Sequence, residues 1–206
     1  MTTLRCIILL QFTTVLCLGQ VEHSELSNSR KQSEAPKAVV RSLYREVVAR
    51  HPMGIPQGKE WTRIMPYLSK RLIGRLNETR ACEKDYFKQY PDPNSKPPFD
   101  WMERGLFSGS WEKAAPGGFR FDKTELENDG SFRLHLSLRY RYPPPPEWWH
   151  IVVIVVVEDG RFVVDDVISF PEDVKDVETH LSELLTHGCD GSKWVGHRDQ
   201  RADSAK

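Results

Sequence analysis

The sequence predicts an α+β fold, one antiparallel sheet with helices on one side, and three observations carry that prediction. Apolar residues recur at helical spacing in the N-terminal half, they alternate at period two between about residues 119 and 170, and helical spacing returns after Pro171. Helices first, then a meander of strands, then a closing helix is the order of a layered α+β domain, because strands joined by short turns pair with their sequence neighbours.

The first helix starts at Pro36, a favoured first-turn residue, and stacks Val39, Val40, Leu43, Tyr44, Val47 and Val48 on one stripe. It ends near His51-Pro52, and a Gly/Pro-rich link runs to Gly58. A second helical region spans about Trp61 to Tyr90, is broken near Pro66, carries Cys82, and turns Leu68, Leu72, Ile73, Leu76 and Phe87 to its apolar side.

The clearest strand alternates Phe132, Leu134, Leu136, Leu138, Tyr140 and Tyr142 with Arg133, His135, Ser137, Arg139 and Arg141, until Pro143 to Pro146 end it. Asp129-Gly130 marks a turn from an upstream strand at about Phe119 to Glu127. Trp148 to Val157 and Arg161 to Phe170 flank the hairpin turn Glu158-Asp159-Gly160. The first of them is apolar on both faces from Ile151 to Val157, which predicts a central strand. After Pro171, the residues Val174, Val177, Leu181, Leu184 and Leu185 predict a last helix capped by Gly188.

Charge names no partner: 29 Lys+Arg meet 29 Asp+Glu, which argues against a nucleic-acid coat protein. Residues 1–19 read as a cleaved signal peptide, with Arg5 before a short apolar stretch from Cys6 to Leu18 and then Gly19. That stretch is shorter than the ~20 residues a membrane helix needs, so no span is expected after its removal. The chain then divides into a polar flexible leader (20–35), a single domain (36–196) and a polar disordered tail (197–206). The expected location is secreted or periplasmic. Signal removal leaves two cysteines, Cys82 and Cys189, in an oxidising compartment, and they are read as one structural disulfide. Closing a loop of roughly 100 residues should constrain the unfolded chain by about 4 to 5 kcal/mol in the entropic model. A reactive or metal-binding pair lacks a C-x-x-C or a His at ligand spacing.

Asp165 and Asp166 are the candidate catalytic residues. Adjacent strand residues point to opposite faces, so one carboxylate should look toward the helix-covered side. In apolar surroundings it would have a raised pKa and could act as a general base; otherwise it fixes the sheet to a helix through hydrogen bonds. Tyr44, Tyr86, Trp101 and Trp149 compete as donors to an oxyanion. The cationic stripe Arg133, His135, Arg139 and Arg141 reads as a solvated face paired with Glu125 and Glu127. His180 and His187 lie two helical turns apart with no partner at zinc spacing, so neither metal nor cofactor is expected. No nucleophile-elbow, phosphate-loop or dinucleotide glycine motif occurs.

The opening helix, the helix pair with "YLSKRLIGRL" and "ACEKDYFKQYP", the segment "KPPFDWMERGLFSG", the hairpin "VVIVVVEDGRFVVDDVIS" and the closing "GCDGSKWVG" together carry a resemblance. From about Ala38 to Gly196 the chain resembles the secreted bacterial domain-of-unknown-function members of the nuclear transport factor 2-like superfamily, the cystatin-like cone. The resemblance implies a curved sheet wrapped on a long helix, with a pocket at the open end. In isomerase relatives a carboxylate in the cone acts as base, the role Asp165 or Asp166 would take. It also implies that Trp101, Trp111, Trp148 and Trp149, with Tyr86 as a further binding candidate, border the cone mouth. Because the relatives are bacterial, the sequon Asn77-Glu78-Thr79 is expected to carry no glycan.

The expected function is an exported, non-enzymatic binding or interaction module for a small apolar ligand or another exported protein, an immunity or inhibitor role being one version. Cone folds pair through their sheets, which leaves a homodimer open. The alternative is a cofactor-free isomerase or dehydratase using the inward Asp as general base. The fold alone hosts both kinds of activity and does not choose.

Overall fold

The computed structural model describes residues 34–92, 97–111, 115–141, 148–170 and 177–196. The signal segment, most of the leader, the tail, Pro143 to Pro146, Pro171 and Val174 lie outside the described residues. Helix α1 (residues 34–50) buries Val40, Leu43, Tyr44 and Val47. It stops where His51 turns to a positive φ of 46° just before Pro52. A short helix α2 (Gly58–Ile64) runs into a 3₁₀ turn at Met65–Tyr67, where Pro66 sits in the first turn because it has no N–H to donate. Helix α3 (Lys70–Gln89) follows, capped by Ser69, whose Oγ accepts from the Leu72 N–H. Its buried stripe is Leu72, Leu76, Thr79, Cys82 and Tyr86. Phe87, expected inside, is exposed: a stripe stepping by three and four residues from Leu72 reaches position 86, and the next residue is rotated away from it.

Beyond a 3₁₀ turn at Asp100–Glu103, the strands β1 (Arg104–Gly105) and β2 (Ser110–Trp111) form a small ribbon. The main sheet holds β3 (Pro116–Leu126), β4 (Phe132–Tyr140), β5 (Trp148–Glu158), β6 (Arg161–Ser169) and β7 (Thr179–His180), in that order and all antiparallel. β5 is central, as its two apolar faces predict. Asp159 and Gly160 both take positive φ, 50° and 71°, the two-residue turn whose twist matches a hairpin. On the inner face Phe132, Leu134, Leu136 and Leu138 of β4 pack with Ile151, Val153 and Val155 of β5 and with Leu43, Tyr44, Leu72 and Leu76 of the helices. Helices and sheet thus form the α+β architecture that the periodicities predict.

The closing helix is a correction. Among the described residues of this segment, 177–188, only Leu181–Leu184 is helical (α4), while Thr179 and His180 pair with Ser169 and Ile168 and extend the sheet. The edge of β6 offers a ladder of backbone partners, and the Asp166 carboxylate takes the Ser182 N–H in the first turn of a helix that starts directly after the strand. Val177, expected on the buried stripe, is exposed.

The chain ends in a hairpin of β8 (Cys189–Asp190) and β9 (Lys193–Trp194), fastened to α3 by the Cys82–Cys189 disulfide, Cα–Cα 6.1 Å. Trp194 packs edge-on against Tyr86 and Phe99, with centroids 5.2 and 5.0 Å away. Gly188, at φ 74°, lets the Trp194 ring lie against its backbone, where a Cβ would come within 2.2 Å of the ring. Asp85 Oδ2 accepts from the Trp194 N–H at 3.0 Å, and this bond, helped by Gln89, holds its carboxyl below the usual carboxylate range. A depressed folded-state pKa gives stability that is present above the unfolded value and is lost as pH falls through the folded one. The hairpin should therefore loosen first in acid, below about pH 4. Hydrogen exchange of the Trp194 amide should accelerate there relative to the β5 amides, and Asp85→Asn should abolish that pH dependence. Equal protection of both at pH 3 would refute the clasp.

Candidate ligand-binding site

Asp165 and Asp166 occupy a β-bulge. Ile154 pairs with Asp166 but Val155 pairs with Val164, so Asp165 is the extra residue. Its side chain reaches the start of α3. Ser69 Oγ donates to Oδ1 at 2.5 Å, and Arg71 donates through Nε and Nη2 at 2.7 to 3.0 Å. Asp166 points to the face opposite the helices, shared with Ile154, yet is only 4% exposed. Its Oδ1 accepts from the Val167 and Ser182 N–H groups at 2.9 and 3.0 Å, and its Oδ2 from Ser182 Oγ at 2.7 Å and His180 Nδ1 at 3.1 Å. Every carboxylate oxygen of the pair therefore has a donor from the framework. The pair joins β6 to α3 on one side and to β7 and α4 on the other.

The aromatic candidates separate. Trp101 is 2% and Tyr86 7% exposed, and with Phe99 and Trp194 they form a buried cluster beside the disulfide, so they are core residues and do not border a mouth. Tyr44 is buried, donates to the Phe107 carbonyl at 2.7 Å, and has its hydroxyl pKa pushed well up by burial. Trp149 faces inward opposite Leu138 and donates to the Ser108 carbonyl at 2.7 Å. The side chain of Trp111 lies outside the described residues. Trp148, by contrast, stands on the outer face at 41% exposure.

That outer face carries an open groove of about 580 Å³ whose lining includes Asp122, Lys123, His135, Trp148, His150 and Phe170. Its volume falls within the ~300–1,000 Å³ of ligand sites. Strand register builds it. Ser137 lies opposite His150 and Arg139 opposite Trp148, while alternation along β5 sends Trp148, His150 and Val152 to one face. A second bulge between Phe121 and Lys123 makes Asp122 the extra residue of β3, with its carboxylate reaching Ser137 on this face.

The polar groups are held in order. Ser137 Oγ donates to Asp122 Oδ2 at 2.6 Å, since a carboxylate only accepts. The hydroxyl has one proton, so at 3.2 Å it is His150 Nδ1 that donates to Ser137. The His150 side chain as a whole is 68% exposed. Arg120 donates to Asp122 Oδ1 at 3.1 Å while its guanidinium lies 4.5 Å from the centroid of Trp148. Glu125 accepts from Lys123 and, at 2.6 Å, from His135 Nε2, and these bonds hold its carboxyl below the usual range. The Ser137, His150 and Asp122 trio is no nucleophile site. Ser137 is fully buried and donates to the carboxylate, and both partners engage the same edge of the imidazole.

Part of the cationic stripe pairs as read: His135 with Glu125, and Arg133 with Glu127 at 3.9 Å and also with Glu178 at 3.1 Å, while Arg139 stands exposed opposite Trp148. Arg141 instead donates to the Val48 carbonyl. Sequence reading missed Asp122 and His150. The signal was a slip of phase in β3, where inward residues are odd at Phe119 and Phe121 and even at Thr124 and Leu126. Among the described residues no helix is long and apolar enough to cross a membrane, and no group of three or more His, Cys, Asp or Glu is placed to hold a metal ion.

No protein-family model matches the chain, and no curated protein matches it. A crystal structure of a protein of unknown function from Bacteroides thetaiotaomicron aligns with 15% identity and a TM-score of 0.35, covering 72% of this chain and 98% of that one.

Proposed function

We propose that the protein is an exported, non-enzymatic binding module whose ligand surface is the groove on the outer face of the sheet. The observation that carries this reading is Trp148: a large aromatic ring exposed on the outer face, braced by the Arg120 guanidinium and lining an open groove that also holds Asp122, Lys123 and His150. The signal-like N-terminus and the disulfide support export. The cystatin-like cone remains the fold we propose for the layered α+β core.

Native mass spectrometry of the chain, expressed with its own N-terminal segment into an oxidising periplasm, tests the reading. A retained small molecule or partner that is present on wild type and absent from Trp148→Ala, with the disulfide and melting temperature preserved, is the expected result. Retention by both proteins moves the binding surface elsewhere.

A further inference from the structure

We infer that the outer groove takes a neutral carbohydrate, one ring of which stacks on Trp148 while its hydroxyls meet His150 and the neighbouring carboxylates. This rests on the binding-module reading and names its ligand class.

Charge comes first. Arg120 pairs with Asp122 and Lys123 with Glu125, so the carboxylate and ammonium that line the groove are matched, and the exposed Arg139 opposite Trp148 adds a cation beside the lining. Acceptors and donors nevertheless remain in close alternation. His150, with its Nδ1 edge on Ser137 and its side chain 68% exposed, brings an imidazole within reach of a ligand hydroxyl. The carboxylates of Asp122 and Glu125 keep further acceptor capacity beyond the bonds described, and Lys123, 63% exposed, has further ammonium protons to give. A sugar hydroxyl both donates and accepts, so a ring of hydroxyls suits such a mixed floor.

An extended peptide does not suit it. β4 and β5 are ladder-paired on both sides, and the groove lies over the sheet face, so it offers side-chain tips in place of the free backbone edge that strand addition requires. The ring geometry also fits. Arg120 braces Trp148 before any ligand arrives, which lowers the ordering cost of stacking. His150 is two residues along the same strand face, roughly 7 Å away, so one ring on Trp148 brings its hydroxyls within reach of the imidazole. Phe170 adds a second apolar wall.

A printed array of neutral and acidic glycans, followed by calorimetric titration with the best neutral oligosaccharide, tests this on the mature disulfide-bonded chain. Expected are binding of at least one neutral glycan, a loss of at least about tenfold in Trp148→Ala and in His150→Ala, and unchanged affinity in Glu78→Ala on the far helix. Binding confined to sulfated or uronic glycans, no glycan binding, or equal binding by Trp148→Ala would overturn the carbohydrate assignment. The two failures stay distinct. If native mass spectra show a non-carbohydrate molecule on wild type that Trp148→Ala lacks, the groove still binds and only the ligand class falls; if Trp148→Ala retains it, the groove itself is not the site.

Discussion

Replacing both Cys82 and Cys189 by serine should lower stability by about 4 kcal/mol, the largest single effect expected in this chain. The bond links residues 107 positions apart, so its removal frees most of the unfolded domain from one closed loop. It also releases a hairpin whose other ties include the Trp194 ring on Tyr86 and Phe99, the Trp194 N–H to Asp85, and the Val195 N–H to the Gly188 carbonyl. At about 2–4 °C per kcal/mol for a domain of this size, the melting temperature should fall by roughly 8–16 °C. Urea unfolding of wild type with and without reductant, set beside the double variant, measures the effect. A loss under about 1 kcal/mol would mean that the aromatic cluster, and not the covalent bond, holds the chain end.

Asp166→Ala should cost about 3 kcal/mol, and Asp165→Ala distinctly less. The first removes a buried acceptor shared by four donors, two of them backbone N–H groups. The second breaks a pair whose arginine is half exposed, so solvent takes over much of the lost interaction. Paired urea curves decide, and the reverse order would show that the α3 junction matters more than the β7 junction. The same variants bear on the rival chemistry. A cofactor-free isomerase or dehydratase would lose turnover in Asp166→Asn with its stability intact, whereas the hydrogen bonds around Asp166 place the first effect on stability. Retained melting temperature in Asp166→Asn would remove that argument for a framework role.

Much of the fold was legible because it depends on local periodicity. The stripe of α1, the alternation of Phe132 to Leu138, the two-faced apolar run of β5 and the Asp159-Gly160 turn each reflect how side chains are distributed around one helix or along one strand. The pairing of Cys82 with Cys189 followed from there being no other cysteine once the signal-like segment is set aside.

The rest was decided between elements. Whether residues 179–180 join a helix or a sheet depends on the free edge of β6, which is nearly contiguous in space and remote from any local pattern. Tyr86 and Trp101 looked like surface aromatics until tertiary packing placed them beside Phe99 and Trp194. The groove required the bulge at Asp122 and the register of three strands to bring Asp122, Ser137 and His150 together from β3, β4 and β5. By itself the sequence determined the main helices and strands, which rest on neighbours along the chain, and the cysteine pair, which rests on their number; only the tertiary structure decided the closing segment and which polar and aromatic side chains share a surface, because a one-residue bulge reverses the face that every later side chain presents.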